Sequence, residues 1–460
     1  MNFIYLKNRY LFSRFSIGII ILFSYLQTSS LHIWKWERGV IFWDTISYYA
    51  YLPALFVHKD LSLEFIKENP VTYENRFWPQ TTDEGKYVIK TTYGLAILYF
   101  PFFITAHLLA TPLGFEANGF SEIYHLSLAL SPLLYLFIGL FYLKRILKKY
   151  FSDIVIALTL ISVGLATNLL YYTSVTTMSH TYSFCLISIF LYLSIKWIEK
   201  PGITNSLLMG LLLGIISLIR PTNSIMVIFP LLFGIQNLKG LRDRIFYFLK
   251  KPHFVLIIVI MIFLVWLPQM IYWHQQTGSY LYFSYGTKER FFWSEPAIFR
   301  GLFSFRKGWL IYSPIMIFSL IGIALSLKNR RDWFLPLIII IPVSIYIMLC
   351  WWTWWYAGGF GMRPIIDYYA LLAIPLALSI SMISKLKPIL KYSTYIIIFS
   401  FLFLGVLHHM QAVSGAIHWD SMTWKTYKYN FGHLKMTEKG EKYLIHPDYE
   451  KALIKREWKD

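Results

Sequence analysis

Apolar runs of about twenty residues recur along the whole chain and constrain its fold more than any other feature. A bilayer core about 30 Å thick needs roughly 20 apolar helical residues to cross it. The runs are continuous, whereas strands of a membrane barrel alternate between apolar and polar residues. With 57% hydrophobic and 15% charged residues among 460, the chain is predicted to be an all-α polytopic membrane protein. We expect eleven transmembrane helices, near residues 15–33, 123–143, 154–172, 180–196, 205–219, 221–237, 254–273, 309–327, 333–351, 366–384 and 393–411.

Basic residues between the spans predict the orientation of the chain. A net charge of +19 would suggest nucleic acid as the partner of a soluble protein. In a membrane protein, however, short basic loops face the cytoplasm and anionic lipid headgroups. Lys7, Arg9 and Arg14 precede the first span, so we expect the amino terminus to be cytoplasmic. The expected partner of these basic residues is the lipid bilayer, and no nucleic-acid partner is expected.

One further apolar run, Leu95–Ala110, determines the orientation of everything after it. If it crossed the bilayer, the basic loop at 144–149 and every later basic loop would lie outside. At about 1 kcal/mol of headgroup attraction per basic residue, that inversion is strongly unfavourable. We therefore expect a re-entrant or interfacial helix here. Residues 34–122 would then form a long first outer loop of a transmembrane domain covering residues 1–411, and residues 412–460 an outer tail.

The stretch that follows the first span carries an acid in aromatic surroundings. Asp44 stands in the run Trp43-Asp44-Thr45-Ile46-Ser47-Tyr48-Tyr49-Ala50-Tyr51. One interpretation is a helix cap, in which the carboxylate accepts backbone N–H groups. The other is a sugar site, because a helix would place Ser47, Tyr48 and Tyr51 on the face of the acid, and a carboxylate can accept a hydroxyl proton.

A run of hydroxyl side chains ends in an imidazole at the outer end of the third span. The sequence there is Tyr171-Tyr172-Thr173-Ser174-Val175-Thr176-Thr177-Met178-Ser179-His180. An interfacial tyrosine belt with a capping serine would explain it without any function. The functional interpretation makes His180 a second polar group that faces Asp44 across a cleft.

Three cations near span ends are candidates for binding a phosphate. Arg220 lies between two apolar spans that are too close for a long loop, and an ionisable group at that depth needs a partner or water. Lys90 and Arg363 are similar, although each of the three could be an ordinary snorkelling cation. Arg363 also ends an unusual string, Trp351-Trp352-Thr353-Trp354-Trp355-Tyr356-Ala357-Gly358-Gly359-Phe360-Gly361-Met362-Arg363. Its glycines predict a tight turn whose backbone can approach a ligand.

Several other classes of chemistry find no support. No Walker loop, GxGxxG fingerprint or HExxH motif occurs, which argues against nucleotide-driven transport and zinc proteolysis. Cys185 and Cys350 lie inside apolar runs and are expected to be buried thiols. His408 and His409 end the last span without acids or thiols nearby, so no metal site is predicted there.

With these residues in view, the chain resembles the GT-C superfamily of multi-pass glycosyltransferases, which includes lipid A aminoarabinose transferases and protein mannosyltransferases. The matching elements are the acid Asp44 just after the first span, the long outer loop, and an apolar helix before the second span. Further short pieces are similar to bacterial members: Lys90, Arg220-Pro221-Thr222, Gln276-Thr277-Gly278-Ser279, Tyr285-Gly286, Phe303-Ser304, Gly308 through Ser313-Pro314, and Gly358-Gly359-Phe360-Gly361-Met362-Arg363. The likeness covers about residues 10–410.

The chain departs from this family at two positions. Many relatives have a second acid directly after the first, where this chain has Thr45. Relatives often place another acid in the next outer loop, where this chain has Ser179-His180. The role of Asp44 survives both departures, whereas a claim that two carboxylates share the work does not.

The resemblance implies an inverting transfer from a polyprenyl-phosphate sugar on the outer face of a bacterial cytoplasmic membrane. Asp44 would take the proton of an acceptor hydroxyl on a glycan, lipid or protein. The residues themselves, rather than the resemblance, make His180 the second catalytic candidate. Lys90, Arg220 and Arg363 would stabilise the phosphate, with Tyr48 and Tyr51 beside the substrate. No cofactor is assigned, assistance by a divalent cation stays open, and no nucleotide-binding loop is required. The alternatives are a transporter or lipid flippase, and a surface-glycan polymerase or ligase with another helical fold.

Overall fold

The computed structural model describes residues 10–286 and 289–455, and it is a helical assembly with one two-stranded ribbon. Lys7 and Arg9 lie outside the described residues. Eight described helices are long and apolar enough to cross a membrane, which confirms the predicted all-α polytopic class. They are α1 (Leu11–Lys35), α2 (Gly94–Leu113), α3 (Glu122–Leu147), α4 (Ser179–Glu199), α5 (Pro252–Thr277), α6 (Arg331–Cys350), α7 (Arg363–Ile383) and α8 (Pro388–Val413).

The spans expected from the sequence divide into two groups. Seven correspond to long helices, whereas four correspond to shorter apolar helices, at Asp153–Leu165, Ile203–Ile219, Pro221–Leu232 and Pro314–Asn329. The run Leu95–Ala110, expected to be a re-entrant or interfacial helix, forms the long helix α2. The length and composition of α2 would also allow it to cross the membrane, so its interfacial position stays a prediction. The other short helices in the described transmembrane part are Leu169–Ser174, Leu238–Lys250, Ile298–Phe303 and Trp309–Tyr312.

Helix α7 is the centre of the assembly and α5 lies at its edge. Of their most apolar windows, 89% is buried for α7 and 6% for α5. Close approach around α7 depends on a small residue, since a Cβ on Gly322 would overlap the carbonyl group of Pro375. Helix α5 packs on Ile203–Ile219, where a Cβ on Gly210 would lie 2.6 Å from the Ile258 oxygen. Glycines at such crossings let backbones approach closely, as is common in membrane helices.

The first loop folds into short elements rather than an extended linker. Its helices are Asp44–Tyr49, Tyr51–Phe56 and Pro70–Phe77, with a 3₁₀ turn at Glu64–Glu68. Strands β1 (Gln80–Thr81) and β2 (Tyr87–Val88) pair antiparallel, with Gln80 opposite Val88. Asp60 stabilises the middle of the loop by accepting the backbone N–H groups of Ser62 and Glu64, both at 2.8 Å.

The loop is tied to the end of α5. The buried amide of Gln269 accepts the backbone N–H of Tyr93 at 2.9 Å, and the hydroxyl of Tyr272 accepts that of Ile89 at 2.9 Å. Tyr51 donates its hydroxyl to the carbonyl of Thr91 at 2.7 Å and lies beside the same glutamine. Because these groups are buried, the bonds satisfy backbone that water cannot reach.

The tail packs into an ordered unit beyond α8. Its short helices are Trp424–Asn430, Glu438–Glu441 and Tyr449–Ile454. The buried side chain of Asn430 organises it, donating to Ala416 O at 2.8 Å and accepting from the backbone of Thr437 at 3.1 Å. From α8, the amide of Gln411 donates to the carbonyls of Asn430 and His433, both at 2.8 Å.

Candidate functional site

The carboxylate of Asp44 is open on one side and held by an arginine on the other. Asp44 is the first residue of its short helix and makes no side-chain cap, so it is not the hydrogen-bonding cap that the sequence allowed. Its Oδ2 accepts from Nη2 of Arg363 at 2.8 Å, and 42% of the Asp44 side chain is exposed. No described side chain hydrogen-bonds its Oδ1. Trp43, just before it, has φ of 48°, a strained conformation for a bulky residue that often marks a functional position.

A second carboxylate, which the sequence interpretation missed, lies fully buried in the 3₁₀ segment Arg363–Tyr368 that begins α7. Asp367 has no solvent exposure. Its Oδ1 lies 3.0 Å from Nδ1 of His180, and its Oδ2 accepts from the amide of Asn223 at 2.8 Å and lies 3.6 Å from Nε of Arg220. A buried charge is tolerated when it is paired and hydrogen-bonded in this way.

The tautomer of His180 follows from its two neighbours. Its Nδ1 lies 3.0 Å from Asp367 Oδ1 and 3.2 Å from Arg220 Nη1. One nitrogen cannot donate to the carboxylate and accept from the guanidinium at once. The carboxylate contact is shorter and charge-assisted, so we assign the Nδ1 proton to the bond with Asp367. Nε2 of His180 is then an acceptor, and no described residue hydrogen-bonds to it.

The half-exposed carboxylate of Asp44 and the buried carboxylate of Asp367 belong to one electrostatic cluster. Tyr48 interacts electrostatically with Arg220, Asp44 and Arg363, and His180 interacts electrostatically with Arg363. Burial raises the pKa of Tyr48 above its ordinary value, so its hydroxyl keeps its proton at neutral pH. The structure thus brings together Asp44, His180, Arg220, Arg363 and Tyr48, but it places the Tyr51 hydroxyl on the Thr91 backbone.

Lys90 lies at the side of this cluster in an ion pair. Its Nζ contacts Oε1 of Glu289 at 2.7 Å, and it lies 5.0 Å from the ring centre of Tyr285 and 5.7 Å from that of Trp78. Tyr285 is itself within electrostatic range of Asp44. Lys90 is therefore a neighbour of the cluster through Tyr285, and its charge is matched by Glu289.

The glycine-rich string forms the tight turn that the sequence predicts. Positive φ angles occur at Tyr356, Ala357, Gly359 and Gly361. The hydroxyl of Tyr172 accepts the backbone N–H of Phe360 at 3.0 Å, and a Cβ on Gly359 would overlap that hydroxyl. Because Arg363 directly follows the turn, this packing determines where its guanidinium lies.

A buried lysine connects the turn to the tail. Lys307 is 2% exposed, and its Nζ donates to the carbonyls of Gly359 and, at 2.5 Å, of Trp419. Burial, followed by the nearby Arg363, lowers the pKa of Lys307 to about 7. Its neighbour Arg306 is also buried and donates to the carbonyl of Asp420 at 2.7 Å.

Sequence signals existed for part of what was missed. Asp367 stands inside the predicted span 366–384, and an ionisable residue within a span is by default a candidate functional group. Asn223 stands in the same short string as Arg220. No local pattern marks Lys307 or Glu289, because their partners are more than fifty residues away in the chain.

Metal-ligand geometry is absent around Asp44 in the described residues. Among the described residues, three histidine and carboxylate side chains close enough together to hold an ion are found in the tail instead, at His418, Asp420 and His446. Assistance by a cation at Asp44 therefore stays a prediction.

Comparisons with known proteins add little to this geometry. No protein-family model matches the chain, and no curated protein matches it. One similar solved structure is the Archaeoglobus fulgidus oligosaccharyltransferase, in complex with Zn and sulfate. The TM-score is 0.48 with 14% identity, over 95% of this chain and 61% of that chain. A likeness at this level identifies neither an activity nor the residues that carry one.

The position of Lys307 predicts a pH dependence of stability. Its pKa is about 7 in the folded protein and about 10.4 when unfolded, so unfolding takes up a proton between these values. The stability of the folded state then rises with pH from about 7 to about 10.4 and falls as pH drops toward 7. Thermal melting of detergent-solubilised protein at pH 7 and pH 9 measures this, and the rise should be smaller in Lys307→Met. An equal rise in both proteins would contradict the assignment.

Proposed function

We propose that the protein is a membrane glycosyltransferase that moves a sugar from a polyprenyl-phosphate donor to an acceptor hydroxyl with inversion. The observation that carries the proposal is the half-exposed carboxylate of Asp44, whose Oδ2 is held by Arg363 at 2.8 Å. With one oxygen fixed, the other can accept the proton of an incoming alcohol. General-base catalysis of this kind contributes about 10²–10⁴-fold to a rate.

Arg220 is the cation best suited to receive the departing phosphate. Its Nε and Nη1 face Asp367 and His180, and no described residue hydrogen-bonds to its Nη2. A guanidinium offers five N–H donors in a planar fork, so a phosphate oxygen can bind without displacing the buried partners. At Lys90, by contrast, a phosphate would compete with Glu289.

The buried carboxylate of Asp367 has a positioning role in this mechanism. Asp367 orients both His180 and Arg220, the first through Nδ1 and the second through Nε. His180 stabilises the orientation of Asp367 by donating its Nδ1 proton to Oδ1 at 3.0 Å. Asp367 is fully buried, so it acts on the phosphate through Arg220, whereas Asp44 contacts the acceptor.

The membrane location follows from the same assignment. A lipid-linked donor reaches the protein from the bilayer, and the apolar helices extend to the cluster through α4 and α7. We place the site on the outer face of a bacterial cytoplasmic membrane, because the basic loops between helices are expected inside. The donor then carries the free energy for transfer, and no nucleotide site is needed.

The first prediction of the proposed function concerns the base. Asp44→Asn keeps the size of the side chain but cannot take a proton, so transfer should fall by about 10²–10⁴-fold. The measurement is turnover of a radiolabelled polyprenyl-phosphate sugar by purified protein in nanodiscs. Asp83→Asn is the matched control, since Asp83 is an exposed acid of the same loop, and it should leave turnover unchanged. Full transfer by Asp44→Asn would remove Asp44 from the mechanism.

The second prediction concerns His180. His180→Ala leaves Asp367 bound to Arg220 and Asn223 but removes the Nδ1 donor that helps to orient this carboxylate, and through it the guanidinium. Turnover should therefore fall less than in Asp44→Asn, and the KM for the donor should rise. His253→Ala, a change at the start of α5, serves as the histidine control. If His180→Ala matched the wild type in both kcat and KM, the residue would be structural only.

The third prediction concerns orientation. Single cysteines at Lys148 and Arg331, in a protein lacking Cys185 and Cys350, should be protected from an impermeant maleimide in intact cells. A cysteine at Asp83 in the first loop should be labelled under the same conditions. External labelling at Lys148 or Arg331 would overturn the proposed orientation.

A further inference from the structure

Two histidines and an aspartate meet in the tail, away from the proposed catalytic cluster. One potential ligand atom from each of His418, Asp420 and His446 lies within 4.8 Å of the others. The side chain of Asp420 is 2% exposed, that of His418 is 20% exposed, and His446 is exposed. A partly buried set that opens to solvent on one side leaves an ion a route of entry.

The contact between His418 and Asp420 places two hydrogen-bond acceptors, Nδ1 and Oδ1, next to each other without a proton between them. The backbone N–H groups of Asp420 and Ser421 point at Nδ1 of His418, at 3.3 and 3.2 Å, which favours an unprotonated Nδ1. The same nitrogen lies 3.3 Å from Oδ1 of Asp420. In a tetrahedral zinc site with bonds of about 2.0 Å, neighbouring ligand atoms lie about 3.3 Å apart. A cation that binds both atoms would replace the long N–H contacts and remove the repulsion.

Neighbouring hydroxyl groups orient the carboxylate and the second histidine. Tyr449 donates to Oδ2 of Asp420 at 2.8 Å, and Ser421 donates to Oδ1 at 2.5 Å. Since the serine has a single proton, its oxygen accepts from Nδ1 of His446, which lies 2.8 Å away. Nε2 of His446 is then unprotonated and able to bind a metal. Supporting hydrogen bonds of this kind are typical of built metal sites.

We propose that His418, Asp420 and His446 bind one divalent ion of the zinc class. Two imidazoles, one carboxylate and a water make a tetrahedral set that suits Zn²⁺, whereas Mg²⁺ prefers six oxygen ligands. The ion would join the segment after α8 to the segment before Tyr449, and so close the tail on itself. This inference does not depend on the proposed sugar transfer.

The site also bears on how the tail meets the rest of the protein. The carbonyl of Asp420 accepts from Arg306 at 2.7 Å, and that of Trp419 accepts from Lys307 at 2.5 Å. Lys307 also donates to Gly359 in the turn before Arg363. An ion bound at Asp420 would therefore fix the segment whose carbonyls accept from the buried side chains of Arg306 and Lys307.

The experiment is a zinc titration of the full chain, purified in detergent and stripped with EDTA. We expect one Zn²⁺ per chain by calorimetry and a rise in melting temperature that Mg²⁺ does not reproduce. His418→Ala and His446→Ala should abolish both effects, whereas His433→Ala, a change to an exposed tail histidine, should leave them unchanged. Binding of zinc to none of the proteins, or equally to all of them, would overturn the proposal.

A milder variant covers the case in which the histidine variants fail to fold. Ser421→Ala keeps the three ligands but removes the hydrogen bonds to Asp420 and His446, so affinity should fall about 10–100-fold. In the wild type, EDTA should also speed proteolysis of the tail, and added zinc should reverse this. Unchanged affinity in Ser421→Ala together with proteolysis insensitive to EDTA would reduce the cluster to a metal-free hydrogen-bond network. These measurements need no sugar donor, so failure of one proposal is distinct from failure of the other.

Discussion

A fully buried carboxylate is the constraint around which the centre of the protein is arranged. Asp367 lies in the 3₁₀ segment that begins α7, with no exposure to solvent, where an unpaired charge is costly. Its partners, His180 and Arg220, come from the start of α4 and from the turn after Ile219. The buried carboxylate therefore links α7 to two other segments of the chain. Removing one partner of such a pair typically costs about 3–5 kcal/mol, so the cluster also specifies how these segments meet.

The candidate site was predictable where a residue type was unusual for its position. Asp44, Arg220 and Arg363 are charged groups at the ends of apolar runs, and the structure places all three in one cluster. Asp367 carries the same signal, but a single acid inside an otherwise continuous apolar run did not stand out in the sequence as the charged residues at the ends of runs did. Tyr51 was grouped with Asp44 by helical spacing, but the helix from Asp44 ends at Tyr49 and a new one begins at Tyr51.

The fold class followed from hydropathy alone, whereas helix lengths did not. Apolar runs predict that a segment lies in the membrane, but not where its helix ends. The run 154–172 is interrupted at Ala166, between Asp153–Leu165 and Leu169–Ser174. The run 221–237 begins with a 3₁₀ turn after Arg220, and its α-helical part is Ile228–Leu232. These breaks occur beside Asn168 and Asn223, whose buried amides bond Tyr369 and Asp367. The ends of these helices thus coincide with tertiary contacts of single polar side chains, which hydrophobic periodicity does not predict.

The peripheral position of α5 makes the first loop responsive to the membrane itself. Only 6% of the most apolar window of this helix is buried, yet its carboxyl-terminal half holds the backbone of Ile89 and Tyr93 through Tyr272 and Gln269. A hydrophobic helix answers a change in bilayer thickness by tilting. Tilting of α5 would shift these anchor points while α7 stays enclosed at the centre. A change in lipid thickness would then reach the first loop, which carries Asp44, through these two hydrogen bonds.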